Sequence, residues 1–215
     1  MKQFNPQSVI NVMRKMGIRS HIDAVNSIFL GTSIFTLYEM TGAFGTFANH
    51  GVYTQPIFVT HINDKNGDPI SVFHPRSEEA LSKENAYLMV NLLQGVVQAG
   101  TGSRVRFKYE LYNEVGGKTG TTQNHSDGWF MGVTPNLVTG VWTGWEDRSI
   151  HFQNLALGSG TNMELTVIGL YMQKIYNDEY FSYMKEDIIE PPLGLSLEMH
   201  SNNQTNYQGK NFQID

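Results

Sequence analysis

From Val115 to Trp145 the chain changes from helical to alternating periodicity, with glycines every few residues: "VGGKTGTTQNHSDGWFMGVTPNLVTGVWTGW". Successive side chains of a strand point to opposite faces, so a stretch of this kind folds as β-structure. Three runs, "GGKTGTTQ", "DGWFMGV" and "LVTGVWTGW", read as consecutive strands, the last two joined at "TPN" by a short turn containing Pro135 and Asn136. Connections this short leave no room for a crossover, so the strands form an antiparallel meander. The other elements must pack around that sheet.

The flanking spacing is helical. "SVINVMRKMGI" puts Val9, Val12, Met13 and Met16 on one face, with Ser8 as N-cap and Gly17 just past the end. Thr36 and Glu39 have capping-box spacing ahead of a stripe of Leu37, Met40, Phe44 and Phe47, with Gly51 as the stop. Gly42 and Gly45 inside that helix predict a close approach by another backbone. "SKENAYLMVNLLQGVVQAG" reads as a helix capped by Ser82 and closed by Gly100, with Ala86, Met89, Val90, Leu93, Val96 and Val97 inward. Asn66 and Gly67 mark a hairpin turn between "QPIFVTHI" and "PISVFH". After the sheet, Thr161 and Glu164 form a second capping-box pattern, followed by Leu165, Ile168, Met172 and Ile175. The order predicts an α+β fold, an antiparallel sheet with helices packed on it. The end, "SLEMHSNNQTNYQGKNFQID", is a polar tail without periodicity.

Composition narrows the function. With 15 Lys and Arg against 20 Asp and Glu, the formal charge is −5 and no basic run suggests nucleic acid. The absence of cysteine excludes disulfides and thiolate metal sites. His21, His50, His61, His74, His125, His151 and His200 are scattered, with no metal-binding spacing, so neither a metal nor a cofactor is expected. No apolar run approaches the roughly 20 residues that span a bilayer, and "MKQFNPQSV" lacks the apolar stretch of a secretion signal.

"GGKTGTT", Gly116 to Thr122, concentrates the candidate chemistry. "GKT" ends the phosphate-loop pattern, but that pattern needs a glycine where Tyr112 stands, and a strand rather than a helix follows Lys118. Read as a strand, Lys118 and Gly120 share one face and Thr119 and Thr121 the other. A ligand reaches both sets only along the strand edge. An extended peptide would pair with the backbone there, Gly120 would keep bulk out of the way, and the threonine hydroxyls could donate to a carboxylate beside the Lys118 charge. On "KTG" alone an ordinary glycine-rich edge strand with incidental polar residues is the better reading, since three residues are a weak motif.

The surroundings are more specific. "KTGTTQNHSDGWFMGVTPNLVTGVWTGWED" resembles the third signature box and following strands of the penicillin-binding transpeptidases, the acyl-serine family that includes the β-lactamases, and within it the bifunctional class A proteins. "LGTSIFTLYEMTGAFGTFANHGVYTQPIFVTHINDKNGDPI", "LLQGVVQAGTG" and "GSGTNMELTVIGLYMQKIY" resemble other segments of that domain, in order, over roughly residues 5–195. Gly116 and Gly128 stand where alanine is usual, and "GSG" at Gly158–Gly160 replaces a more common Thr-Gly-Gly; these departures are expected to loosen local packing. Trp129 is expected to be a core anchor.

The resemblance implies a D,D-transpeptidase that cross-links peptidoglycan stem peptides ending in D-Ala-D-Ala and binds β-lactams, in the cell envelope on the extracytoplasmic side of the membrane. It assigns the substrate carboxylate to Thr119 and Thr121, with Gly120 and Thr122 completing the binding edge. It gives Lys118 the shaping of the local field and a bond to the second box. It makes the Thr121 N–H one half of the oxyanion hole. The family's nucleophile and base sit in a Ser-x-x-Lys box, and a Ser-x-Asn box follows; both belong upstream of Lys118. Here Ser-x-x-Lys occurs only at Ser182–Lys185 and Ser-x-Asn only at Ser201–Asn203, both downstream. Residues 1–195 are therefore expected to be the C-terminal half of a transpeptidase domain, inactive alone, with 196–215 as the tail. The upstream half is the expected partner, with self-association through exposed core. The alternative is a non-catalytic peptide- or partner-binding module using the same strand edge.

Overall fold

The computed structural model describes residues 5–122, 125–147, 149–154 and 161–193. In chain order they form α1 (Pro6–Lys15), a 3-10 turn (Asn26–Leu30), α2 (Leu37–Ala48), β1 (Val52–Thr54), β2 (His61–Asn63), β3 (Pro69–Val72) and β4 (Ser77–Glu79). Then follow α3 (Lys83–Gln98), α4 (Arg104–Tyr109), β5 (Gly116–Thr121), β6 (Asp127–Val133), β7 (Val138–Gly144), α5 (Glu164–Asn177) and a 3-10 turn (Ser182–Lys185). This is the expected α+β arrangement. The segment read as a polar tail, 196–215, the "GSG" at Gly158–Gly160 and the Ser201–Asn203 match lie outside the described residues.

The meander is antiparallel in the order β5-β6-β7, with Lys118 opposite Met131, Gly120 opposite Trp129, and Trp129 opposite Trp142. Thr134 closes the β6–β7 turn: its N–H donates to the Leu137 carbonyl at 2.9 Å and its Oγ1 accepts from the Leu137 N–H at 3.1 Å. The central strand β6 is covered on both faces from Phe130 to Val133, so both sets of alternating residues are buried there. Phe130 joins Val97, Val105, Leu165, Ile168 and Met172 on the α5 side. Val133 meets Val90 and Leu93 of α3 on the other, and Leu37 and Thr41 of α2 press on Gly140 beside Met131.

Several predicted details hold. Thr36 and Glu39 form the capping box, Ser82 caps α3, and Gly67 turns the β2–β3 hairpin with φ +94°. Others differ. Asn5 caps α1, its Oδ1 accepting the Gln7 N–H at 2.9 Å, because Pro6 supplies a φ already suited to the first helical position; Ser8 falls inside the helix. In α3, Tyr87 is buried where Met89 was expected, and Met89 is exposed. Gly42 packs under Pro56, whereas a Cβ on Gly45 would meet open space. Thr161 and Glu164 form no capping box: α5 begins at Glu164 itself, behind a helical Met163.

Glu164 instead turns into the protein, only 1% exposed, and accepts a hydrogen bond from the Thr143 hydroxyl. It occupies the space beside Gly128, where a Cβ would lie 2.3 Å from Oε1. Gly116 is similarly committed, since its Cβ would lie 3.0 Å from the Leu93 Cβ and 3.2 Å from the Gln94 N. The two glycines that replace alanine therefore permit close packing; the expected loosening is not seen.

Glu39 ties the chain after α1 to α2. Its carboxylate accepts N–H bonds from Arg19 and Ser20, both at 2.7 Å, the Ser20 hydroxyl at 2.5 Å and the Thr36 N–H at 3.2 Å. Burial alone would raise its pKa, but these donors outweigh it and bring the group from the ordinary 4.5 to about 2.

Two tests follow from these carboxylates. A group with a depressed native pKa stabilises the fold above its unfolded value and loses that contribution as pH falls through the native one. Wild type is expected to exceed Glu39→Gln in stability above pH 4.5, by about 1 kcal/mol for a partly exposed group, with the gap closing toward pH 2 in urea melts. A gap independent of pH would contradict this. Gly128→Ala is expected to cost about 1–3 kcal/mol, and the double variant with Glu164→Ala less than the sum of the single losses; strict additivity would show that the two sites do not share space.

Candidate active site

Among the described residues β5 pairs only with β6, so its other side is an open edge. At its start α3 lies against it through Gly116. Further along, the strand borders a groove of about 500 Å³ whose polar wall is Lys118–Thr122 with Asp127, and whose apolar walls include Phe29, Leu30, Ile34, Phe35, Met40, Phe44, Trp129 and Met131. A side chain at position 120 would be crowded, since a Cβ on Gly120 would stand 3.1 Å from that of Trp129 on the paired strand.

All the predicted site residues are brought together on this edge. The register puts Lys118 and Gly120 on the face of Met131 and Trp129, and Thr119 and Thr121 on the face of Phe130 and Gly128. Lys118 is exposed and its Nζ donates to the Thr119 carbonyl at 2.5 Å. Thr121 is exposed near the end of the strand. Thr122 is fastened: its Oγ1 lies 2.8 Å from the Ser126 Oγ and accepts the Asp127 N–H at 3.2 Å, while its own N–H donates to the Asp127 carbonyl.

Trp129 departs from expectation. The alternation that sends Phe130 fully into the core turns Trp129 to the groove, where it is half-buried. Phe130 is the anchor. Two participants were not anticipated. Thr101 Oγ1 lies 2.8 Å from Thr119 Oγ1, and Trp142 Nε1–H donates at 3.1 Å to Oδ2 of Asp127, which lines the groove. The first pair is eighteen residues apart and carries no local signal; the second was visible only as strand register.

The Ser182–Lys185 match lies elsewhere. The Ser182 hydroxyl donates to the Glu179 carbonyl, and the Lys185 ammonium sits 5.9 Å over the Tyr176 ring. This is the C-terminal end of α5, whereas the N-terminal Glu164 is the end that touches Gly128, opposite Thr121.

The profile of the penicillin binding protein transpeptidase domain matches residues 27–144, more than half of the chain, from the 3-10 turn that walls the groove to the end of β7. The chain belongs to that family. It is 34% identical over 184 residues to penicillin-binding protein 1A of Aquifex aeolicus (strain VF5), a match covering 84% of this chain and 24% of that protein. Penicillin-binding protein 1A from Haemophilus influenzae shares the fold with a TM-score of 0.70 at 21% identity, over 86% of this chain and 34% of that one. PonA1 from Mycobacterium tuberculosis, solved in complex with penicillin V, gives 0.67 at 22% identity, over 87% and 53%. The chain spans about a quarter or less of the length of the curated penicillin-binding proteins it matches.

Within this transpeptidase fold, Thr122 fixes the strand end that Thr121 occupies. Thr122→Val is expected to cost about 1 kcal/mol and to speed hydrogen exchange at the Asp127 amide, read by NMR. Unchanged exchange would show that the turn does not depend on that hydroxyl.

Proposed function

We propose that this chain supplies the substrate-holding edge of a D,D-transpeptidase that cross-links peptidoglycan stem peptides through an acyl-serine and is acylated by β-lactams. The observation that carries the reading is the open edge of β5, with Lys118, Thr119, Gly120 and Thr121 bordering one groove. A peptide ending in D-Ala-D-Ala adds to that edge as an extra strand. Its carboxylate takes hydrogen bonds from the Thr119 and Thr121 hydroxyls, and Lys118 favours the negative charge. Gly120 keeps the approach clear, and Thr122 borders the peptide through its backbone while its hydroxyl secures the strand end. A β-lactam presents a carboxylate and an acyl group in the same relation.

In the acylation step a serine hydroxyl attacks the penultimate D-Ala carbonyl, a base takes its proton, and the oxygen becomes negative. The Thr121 N–H donates to that oxygen; such a donor is worth about 3–4 kcal/mol in the transition state. Collapse breaks the peptide C–N bond, the terminal D-Ala leaves with the proton, and an acceptor amine then displaces the serine. Neither nucleophile nor base is assigned within residues 1–215, because Ser182 and Lys185 belong to the far end of α5. The Ser-x-x-Lys and Ser-x-Asn boxes are assigned to the upstream half of the domain, on the extracytoplasmic side of the membrane. That half would cover Leu30 and Ile34, which are 75% and 69% exposed beside the groove; without it, self-association through the same surface is expected.

Fluorescent penicillin distinguishes the possibilities. This chain alone is expected to take no covalent label, and a mixture with the upstream half bearing both boxes is expected to label that half. A covalent band on this chain would overturn the assignment of the nucleophile. Binding of the peptide without acylation in the mixture would favour the non-catalytic module.

A further inference from the structure

Thr101 lies outside the strand motif, yet its hydroxyl oxygen is 2.8 Å from that of Thr119. Its position is built, not incidental. The Gly100 and Gly102 N–H groups both donate to the Val96 carbonyl at 3.0 Å, folding the Gly100–Gly102 loop back onto the last turn of α3. A Cβ on Gly100 would lie 2.9 Å from the Val96 oxygen, and one on Gly102 3.3 Å from it, so the glycines let the loop seat this closely. Just beyond, Val105 is fully buried and its N–H donates to the Gly102 carbonyl at 3.1 Å. The same helix grips β5, through Gly116 against Leu93 and Gln94. Both members of the hydroxyl pair are thus referenced to α3.

We propose that Thr101 is a positioning residue for Thr119, setting the direction of its hydroxyl toward a ligand carboxylate; this rests on the reading of the Lys118–Thr122 edge given above. A hydroxyl has one proton and two lone pairs. If Thr119 donates to Thr101, its proton is used and only lone pairs face the ligand, which repel a carboxylate. If Thr101 donates to Thr119, the Thr119 proton is released outward and its bond is strengthened by the one behind it. A carboxylate therefore selects the second arrangement, and Thr101 completes a two-hydroxyl relay ending on the ligand. A C-terminal amide, which can also donate, has no need of that direction.

The test measures the affinity of the 215-residue chain for an N-acetylated peptide ending in D-Ala-D-Ala and for its C-terminal amide, from NMR shifts of the Thr119 and Gly120 amides. Wild type is expected to prefer the carboxylate. Thr101→Val is expected to weaken carboxylate binding about threefold to tenfold, the worth of one hydrogen bond, with little change for the amide, and Thr101→Ser to restore it. Thr101→Ala, with less bulk, is held to the same outcome should the valine variant fail to fold. If wild type prefers the carboxylate and the variants keep that preference undiminished, Thr101 is only a structural pin and the inference falls while the edge reading stands. Equal loss for both peptides has the same meaning. If wild type shows no preference, the edge reading itself fails and takes this inference with it.

Discussion

The contact on which the site depends is the close approach of α3 to the first residues of β5. Gly116 admits it, since any side chain there would meet Leu93 and the Gln94 backbone. The result is a strand held at one end by a helix on its face, while among the described residues its outer edge has no strand partner. A fully paired strand could not receive a peptide, and an unsupported glycine-rich edge would have no fixed geometry to offer. The helix meets both demands because it packs on the face shared by Gly116 and Val133 and not along the edge.

The sheet is also fixed from behind. Phe130 binds β6 into the α5 core, and Glu164 fills the space left by Gly128 at the end of the sheet next to Thr121. A buried carboxylate is a costly way to fill space, and among the described residues its Oε2 has no hydrogen-bond partner. Its bond from Thr143 ties β7 to the first residue of α5. Helices thus clamp the central strand from both faces, and the edge strand inherits that rigidity through its ladder to β6.

Features set by neighbours in sequence were legible. The alternation of β5 to β7, the Thr36–Glu39 capping box and the Gly67 turn each depend on residues within a few positions of one another, and each forms as read. Reading failed where distant packing decided the outcome. Thr161 and Glu164 have capping-box spacing, but the cavity beside Gly128 claims the glutamate. Trp129 is expected to be the core anchor, yet strand parity gives that place to Phe130. The five-residue span from Lys118 was recognisable as an edge, but its link to Thr101 depends on how the loop after α3 folds back, which no local pattern encodes.

The most direct test of the central claim is a crystal structure of this chain joined with a segment bearing Ser-x-x-Lys and acylated by a β-lactam. The β-lactam carboxylate is expected within about 3 Å of the Thr119 and Thr121 hydroxyl oxygens, with the acyl oxygen at the Thr121 N–H. A carboxylate held elsewhere, with both hydroxyls turned away from the ligand, would contradict it.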